Sequence, residues 1–538
     1  MFRQWLYDTL AHRHPGHPFD ILVPPDPTMG DYSVNLAFTL GKHDKRNPRE
    51  VADGICGELM ADGSERIARC EVAGPGFVNV FLRDDWLCGE FAHGGVPPEG
   101  HGRKVIVEYS SPNIAKPMHV GHLRSTVIGD ALANVYRALG YDVVRWNYIG
   151  DWGTQFGRLI AAFKKYGGTV ETVRDMVALY VRFHEDMKTD PSLEAVGREE
   201  FQKLETGDQE NRALWGRFRT TSLKEYATTY ERLGVAFDVY KGESEYENEL
   251  ARVIVKLTDA GIAQESEGAL VIPLEGLPPG MVRKSDGATL YLTRDLASLE
   301  DRIAEFHPAK LLYVVANQQA LHFEQLFAVK DKLRLGDTET VHVKFGLVLG
   351  SDGKKFSTRE GNAVPLAEVM DEVVKRAAQR NPETAEAIGI GALKYNDLRQ
   401  HPHTDIVFDW DAMLDMRGNS GPYLQYTYAR LASIVAKAGE HGAADRSLLI
   451  HPSERALMRH LLDYGWTVSQ CAKLHALNGL ALHLYELSEK ANAFYEAVRI
   501  NDDDDAARKS ARLELIGAVM HQLREGLGLL GIKVLERI

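Results

Sequence analysis

A strand, a tight turn and a long helix follow one another between residues 104 and 140, and this succession most constrains the fold. The run KVIVEYS (104–110) is rich in β-branched residues, as expected of a buried strand. The next residues have turn chemistry, because Pro112 fixes φ and Asn113 can cap a helix. Apolar residues then recur at helical spacing up to Gly140: Ile128, Leu132, Val135 and Leu139. The pattern predicts one unit of an α/β fold.

His119 and His122 lie at the start of this predicted helix, three residues apart. Two imidazoles beside the positive end of a helix dipole form a compact site for an anion such as phosphate. Gly121, between them, leaves room for a ligand to approach the backbone. The alternatives are two ordinary surface histidines or a zinc site. Zinc is disfavoured because no cysteine or third histidine lies nearby at ligand spacing.

A second motif far downstream decides between these alternatives. The segment GSDGKKFSTREGN (350–362) is a lysine-rich, serine-containing loop between glycines. HVGH preceded by SPNIAK resembles the HIGH signature of class I aminoacyl-tRNA synthetases, and SSPNIAKPMHVGHLRST is similar to the form found in arginyl-tRNA synthetases. The downstream loop resembles the KMSKS signature of the same class. Two motifs in the expected order therefore indicate this family.

The composition is compatible with a multidomain cytosolic protein. A chain of 538 residues predicts three or four domains. No apolar run approaches the ~18 residues of a membrane span, and no signal-peptide core is present at the start, so we expect a cytoplasmic protein that does not contact membranes. Four scattered cysteines without a CxxC pair argue against disulfides and a zinc ribbon. A net charge of −13 means that a tRNA partner would require the basic residues to be concentrated on one face.

Three domains are predicted along the chain. Residues 1–95 form an α+β module similar to the tRNA D-loop-recognition domain of the family. Residues 104–410 alternate strands and helices, which predicts a doubly wound parallel sheet of the Rossmann-like α/β class, with a charged, helical insertion at about 158–285. Strands are expected at 104–110, within DVVRWNY, at 311–317 and at 343–350. Residues 411–538 are helical by pattern and resemble an anticodon-binding domain.

The resemblance implies a two-step reaction. ATP, with Mg²⁺, activates L-arginine to arginyl-adenylate, and the arginyl group is then transferred to the 3′ end of tRNA(Arg). Implied catalytic positions are His119, His122, Lys116 and Lys355. Implied ATP-binding positions are His119, Gly121, His122, His322, Lys355, Ser357 and Arg359. Implied arginine-binding positions are Glu108, Ser111, Asn113, Tyr291, Asp295 and Gln319. Implied tRNA-binding positions are Phe77, Asn79, Tyr423, Tyr426 and Arg430. No resident metal or zinc is implied.

Two departures from the family pattern are visible. Thr358 stands where the second lysine of the downstream signature is usual, and Lys116, just before HVGH, is the residue to which the family resemblance assigns the missing charge. The chain ends in Ile538, where the family commonly ends in Met. The resemblance further implies a monomer, no editing domain, and activation that needs bound tRNA. The alternative interpretation is that Phe77 is a core residue and Asn79 is a turn residue.

Two other functions compete with this hypothesis. One is a paralogue that uses activated arginine outside translation. The other is a non-catalytic tRNA-binding relative, which would be expected to lack His119, His122 or the lysine loop. All three are present.

Overall fold

The computed structural model describes residues 1–285, 287, 291–350, 352–354, 356, 364–439 and 442–538. The first module has eight elements: α1 (Phe2–Arg13), β1 (Ile21–Leu22), β2 (Tyr32–Val34), α2 (Leu36–Asp44), α3 (Pro48–Gly63), β3 (Ile67–Ala73), β4 (Phe77–Leu82) and α4 (Asp84–Glu90). The strands form an antiparallel sheet in the order β1-β2-β4-β3. Asn47 caps α3 by accepting a hydrogen bond from the Arg49 amide, and Pro48 occupies the first helical position.

The central region begins with three parallel strands and the helices between them: β5 (Lys104–Glu108), α5 (Val120–Ala138), β6 (Asp142–Ile149), α6 (Thr154–Tyr166), α7 (Val173–Thr189), α8 (Ser192–Glu205), α9 (Gln209–Leu233) and β7 (Val239–Gly242). It continues through a small antiparallel sheet and back into the parallel one: α10 (Leu250–Asp259), β8 (Gln264–Ser266), β9 (Ala269–Ile272), β10 (Gly280–Arg283), α11 (Tyr291–Phe306), β11 (Lys310–Ala316), α12 (Ala320–Leu333) and β12 (Glu339–Phe345).

The main sheet has five parallel strands in the order β12-β11-β5-β6-β7, so the chain direction across the sheet reverses beside β5. Both faces are covered. Val105 and Val107 of β5 join a core that includes α5, whereas Ile106 points to a second core that includes α11 and α12. The doubly wound parallel sheet predicted from the sequence is confirmed.

The predicted helical insertion differs in detail from the structure. Helices α6 to α9 span 154–233, but β7 returns to the edge of the parallel sheet, and residues 264–283 form the antiparallel sheet β10-β9-β8. These strands have three or four residues each, which is too short for a period-two pattern to appear. The strand expected at 343–350 is also interrupted. Its break falls at Gly346, where an added Cβ would lie 2.6 Å from the Asp405 carboxylate.

The remaining elements are almost all helical: β13 (Val348–Leu349), α13 (Leu366–Ala378), α14 (Ala385–Leu398), β14 (Ile406–Val407), α15 (Trp410–Met413), α16 (Gly421–Ala438), α17 (Pro452–Leu461), α18 (Tyr464–Leu474), α19 (Asn478–Ala497) and α20 (Ala506–Leu529). The helical C-terminal region is thereby confirmed. Helix α5 lies between the sheet and this bundle, contacting α14, α18 and α20. Its Arg124 forms a buried ion pair with Asp397 of α14.

Candidate active site

A cavity of about 810 Å³ opens at the carboxyl ends of the parallel strands, beside β5, where the strand order reverses. Ligands of open α/β sheets bind at this type of position. The cavity brings together ten residues that the sequence analysis proposed from three distant segments: Glu108, Ser111, Asn113, His119, Gly121, His122, Tyr291, Asp295, Gln319 and His322.

The connection between β5 and α5 is held in an unusual backbone conformation. Ser110, Ser111 and Ala115 have positive φ values of 71°, 45° and 59°. Their amides donate to side chains of three different elements: Ser125 in α5, Asn147 in β6 and Ser222 in α9. Backbone in sparsely populated regions persists when the surroundings over-determine it, and such residues cluster at ligand sites.

The two histidines cap the helix that they begin. Nδ1 of His119 accepts from the Gly121 amide at 3.0 Å, and Nδ1 of His122 accepts from the His119 amide at 3.1 Å. The ring centroids are 3.9 Å apart. The two amides that the rings occupy are therefore not available to bind a phosphate. Gly121 also has a different role, since an added Cβ would lie 2.8 Å from the His119 ring.

Burial, followed by the neighbouring His119, lowers the pKa of His122 to about 3. The ring is therefore neutral at physiological pH. A neutral imidazole that accepts at Nδ1 carries its proton on Nε2, so His122 presents an N–H donor rather than a positive charge.

Glu108, at the end of β5, is 3% exposed and forms an ion pair with Arg302 of α11. Burial raises the pKa of Glu108, and the Arg302 guanidinium opposes this shift. Glu108 was assigned to arginine binding by resemblance. The structure shows that a guanidinium of the protein already engages this carboxylate.

Asp295 and His322 form a second pair, with 2.6 Å between Oδ2 and Nε2. His322 was assigned to ATP by resemblance, and the structure places it against the acidic part of the cavity. Tyr291 lies one turn before Asp295 on α11 and is 66% exposed. Because they are four positions apart on a helix, Tyr291 and Asp295 lie on the same face of α11.

Glu243 and Tyr148 are two of the cavity residues that the sequence did not reveal. Glu243 follows β7 directly, and burial raises its pKa to about 8, with Asp295 and Asp151 adding to the shift and Arg294 opposing it. Arg294 itself is hydrogen-bonded to Glu247 at 2.7 Å. Tyr148 contributes a buried hydroxyl that, like that of Ser111, has no hydrogen-bond partner in the part of the chain that the structure describes. Glu243 follows a strand of only four residues, which gives no period-two pattern, so no local signal pointed to it.

Lys116 is exposed and does not line the cavity; its carbonyl accepts from the Tyr226 hydroxyl. Lys355, Ser357 and Arg359 lie outside the described residues. The described neighbours of that segment do reach the site. Phe356 lines the cavity, and the Val364 carbonyl accepts from the Val120 amide at the start of α5.

The proposed tRNA-contacting residues lie far from the cavity in sequence and have protein contacts of their own. Asn79 is buried in β4, where its Oδ1 accepts from the Ser33 hydroxyl at 2.7 Å, so it is not a turn residue. Phe77 begins the same strand and packs against Phe38.

Tyr423, Tyr426 and Arg430 share one face of α16. Asn492 of α19 donates to the Tyr423 hydroxyl at 2.9 Å and accepts from Arg430 at 3.3 Å. Tyr426 is 43% exposed. Of the three, Tyr426 is the side chain whose ring is most open to a partner.

Among the described residues, no three histidine, cysteine, aspartate or glutamate side chains are grouped so as to hold a metal ion. Likewise, none of the helices in the described ranges is both long and apolar enough to cross a membrane.

Three family models match successive parts of the chain. Residues 3–82 match the arginyl tRNA synthetase N terminal domain, residues 92–410 match the class I (R) tRNA synthetase catalytic domain, and residues 424–538 match the DALR anticodon binding domain.

Curated relatives and solved structures agree. The chain is 39% identical to an arginine–tRNA ligase of Fusobacterium nucleatum, covering 97% of this chain and 95% of that protein. It is 41% identical to one of Chloroflexus aurantiacus, covering 96% and 89%. The arginyl-tRNA synthetase structure of Thermus thermophilus matches with a TM-score of 0.86 at 26% identity, over 100% of this chain and 99% of that one. That of Plasmodium falciparum matches with a TM-score of 0.83 at 26% identity, over 100% and 98%.

Proposed function

The chain belongs to the arginyl-tRNA synthetases of class I, and we propose that its cavity holds arginine at the acidic end and ATP at the histidine end. It is an aminoacyl-tRNA ligase that activates arginine with ATP and transfers it to tRNA. The full-length similarity to arginine–tRNA ligases supports this function and not the paralogue or the non-catalytic relative.

The observation that carries the proposal is that, among the described residues at the base, or floor, of the cavity, the carboxylates outnumber the cations paired with them. Glu108 is paired with Arg302, Asp295 contacts a histidine, and the cation beside Glu243 is bonded to another carboxylate. A planar guanidinium fits such a floor because it donates two parallel hydrogen bonds to a carboxylate. The buried hydroxyls of Ser111 and Tyr148 offer further partners for a polar ligand.

At the other end, the protein offers donors to phosphate. His119 and His122 lie at the N-terminus of α5, where the helix dipole favours an anion. A neutral His122 donates through Nε2 without requiring a counter-charge. We propose that Lys355, Ser357 and Arg359 bind the same phosphates, because Phe356, which lies among them in the sequence, lines the cavity and the Val364 carbonyl accepts from the amide at the start of α5.

The chemistry requires little covalent participation by the protein. The arginine carboxylate attacks the α-phosphorus of ATP, pyrophosphate leaves, and the terminal ribose hydroxyl of tRNA then attacks the activated carbonyl and releases AMP. The chain's task is to align the reactants and to stabilise charge on the phosphates. Mg²⁺ is proposed to enter with ATP, as a counter-ion of the phosphates.

We also propose the binding surfaces for tRNA and the state of assembly. We place tRNA along the first module (1–95), the cavity mouth of the catalytic region (104–410) and the helical region (411–538). Phe77 and Asn79 are proposed for the D-loop, and Tyr423, Tyr426 and Arg430 for the anticodon loop, whose bases aromatic rings can stack on. We further propose a cytoplasmic monomer in which activation waits for bound tRNA.

Asp295→Asn tests the arginine end. The substitution keeps the shape and leaves an oxygen for His322, but it removes the charge and turns one acceptor into a donor. Truncating one partner of a hydrogen-bonded charge pair costs ~2–5 kcal/mol, so the KM for arginine should rise roughly 30-fold or more, while the KM for ATP changes little.

Asp301→Asn is the matched control, because Asp301 lies on the same helix but is bonded to Lys241 and Tyr246 outside the cavity. It should leave both KM values near those of the parent. An arginine KM within about twofold of the parent for Asp295→Asn would overturn the placement of arginine.

A further inference from the structure

Asp151 is a fully buried carboxylate that lies behind the cavity and does not line it. It follows β6, is 0% exposed, and accepts from the Ser244 amide at 2.9 Å and the Ser244 hydroxyl at 3.0 Å. Its charge is balanced by Arg219 of α9, whose Nε donates at 3.0 Å. One aspartate therefore connects the central sheet, the helical insertion and the residue next to Glu243.

The chain on the other side of Glu243 is held as well. The Gly242 amide donates to Glu245 at 3.1 Å, and Arg219 lies 3.7 Å from the same carboxylate. A Cβ at Gly242 would overlap the Asp151 carboxylate, so this close approach requires glycine. The residues on both sides of Glu243, Gly242 and Ser244, are thus held by groups centred on the pair of Asp151 and Arg219.

We propose that Asp151 is a positioning residue that holds the Glu243 carboxylate in the arginine end of the cavity, and that Arg219 makes this placement depend on the helical insertion. The inference rests on the proposed function, because it concerns the same pocket. A buried carboxylate that accepts three hydrogen bonds is rigid. The neighbouring Glu243 side chain is therefore held within the small range of positions that a specific pocket requires.

The charges around Glu243 give the arrangement a second consequence. Asp151 and Asp295 repel an ionised Glu243, Glu247 lies nearby, and Arg294 is the cation that opposes them. Tyr148 faces the same group. A guanidinium or ammonium ligand would relieve this repulsion, so fixing Glu243 close to Asp151 favours a cationic substrate.

The test is a double-mutant cycle between Asp151→Asn and Glu243→Gln, with KM values for arginine and ATP and melting temperatures measured for each protein. If Asp151 acts through Glu243, Asp151→Asn should raise the arginine KM about 10-fold in the parent, by less than about twofold in the Glu243→Gln background, and leave the ATP KM within about twofold. Multiplicative effects on the arginine KM, or no effect of Asp151→Asn, would overturn the inference.

Arg219→Gln supplies a second route if Asp151→Asn does not fold. It should raise the arginine KM by about 3- to 5-fold, again only when Glu243 is present. Asp238→Asn is the control, since Asp238 is also paired with an arginine, Arg145, but before the start of β7 and away from the cavity.

The proposed function fails separately. If neither Glu243→Gln nor Asp295→Asn changes the arginine KM, arginine does not bind at this floor and the inference falls with it. If both raise the arginine KM while the Asp151 effect is the same with and without Glu243, only the positioning role is refuted.

Discussion

Carboxylates are buried both in the cavity and in the seam, the interface between the first module and the helical bundle. The two regions differ in how these carboxylates are paired with arginine. In the seam, Asp31 accepts two hydrogen bonds from Arg455 at 2.7 and 2.9 Å and one from the Leu82 amide. Asp463 accepts from Arg459 and from the Tyr32 hydroxyl, each at 2.8 Å. Each of these carboxylates has an arginine partner within the protein.

The described part of the cavity has no such balance. Its carboxylates Glu108, Glu243 and Asp295 share one directly paired arginine among the described residues, and Glu243 is held beside other acids. Breaking a buried pair is costly because the remaining charge is uncompensated, so a complete pair indicates a structural role. A cluster that remains incomplete in the protein indicates a site for a charged ligand. We expect substitutions in the cavity to change kinetics and substitutions in the seam to change stability.

The largest effect that would separate the two regions is expected for His122→Ala. Loss of one preorganised donor costs ~10²–10³-fold in rate, which should appear in arginine-dependent exchange of pyrophosphate into ATP with tRNA present. The lost capping bond to the His119 amide should cost only about 1 kcal/mol of stability. His401→Ala, at an exposed histidine outside the cavity, should change neither quantity. A normal exchange rate for His122→Ala would remove the phosphate role.

Arg455→Met should show the opposite behaviour. It leaves Asp31 buried without its arginine, and because Arg455 is partly exposed we expect a loss of roughly 2–3 kcal/mol in the free energy of unfolding, at the low end for a broken buried pair. The arginine KM should stay within about twofold of the parent. Arg83→Met, which breaks an exposed pair with Asp85, should leave the free energy of unfolding almost unchanged. A large KM change without loss of stability would contradict the comparison.

The pH dependence of arginine use should report the uncompensated Glu243. Its raised pKa of about 8 means that the free enzyme carries a neutral acid at pH 7 and a carboxylate above pH 8. We therefore expect kcat/KM for arginine to rise by up to about 10-fold between pH 7 and pH 9. Glu243→Gln should lose this rise. The titration of arginine itself is common to both proteins, so an identical profile in the variant would count against Glu243.

The smallest effect concerns a pair of stacked histidines beside the seam. The rings of His460 and His483 are 4.2 Å apart, and burial lowers the pKa of His483 to about 4. His460, Asp463, Gln522, Arg459 and Lys490 are the groups that face His483. The pKa of His483 is lower in the folded protein than the value of 6.5 in the unfolded chain. The contribution of neutral His483 to the free energy of unfolding is therefore fully present above pH 6.5 and is lost as the pH falls towards 4.

His483→Phe should lower the number of protons taken up on unfolding by up to one. This is measured from the change in unfolding free energy between pH 6.5 and pH 4. The free energy of unfolding at pH 7 should change less than the difference in unfolding free energy between pH 6.5 and pH 4. His521→Phe, at an exposed histidine of α20, should leave the slope unchanged. An unaltered slope for His483→Phe would assign the acid sensitivity to other groups.

Local sequence was sufficient for the framework of the site. The β-branched run, Pro112 and the helical spacing after Gly121 predicted β5, the turn and α5, because strand and helix preferences act over a few residues. The lysine loop and HVGH implied the family, and the family placed ten residues that the structure gathers around one cavity. Short strands such as β7 and β8 were missed because three or four residues give no periodicity.

What the sequence determined by itself was therefore the strand–turn–helix unit of β5 and α5 and the helix start that carries His119 and His122. Through the family resemblance it also proposed ten side chains that the structure gathers at one cavity. Only the tertiary structure decided which charges remain available to a ligand. Glu108 meets Arg302 across 194 positions, and Asp31 meets Arg455 across 424. An ion pair forms wherever the fold brings two charges together, and neither partner leaves a local signal. For the same reason Glu243 and Asp151 became visible as one unit only when β6, α9 and the end of β7 were seen side by side.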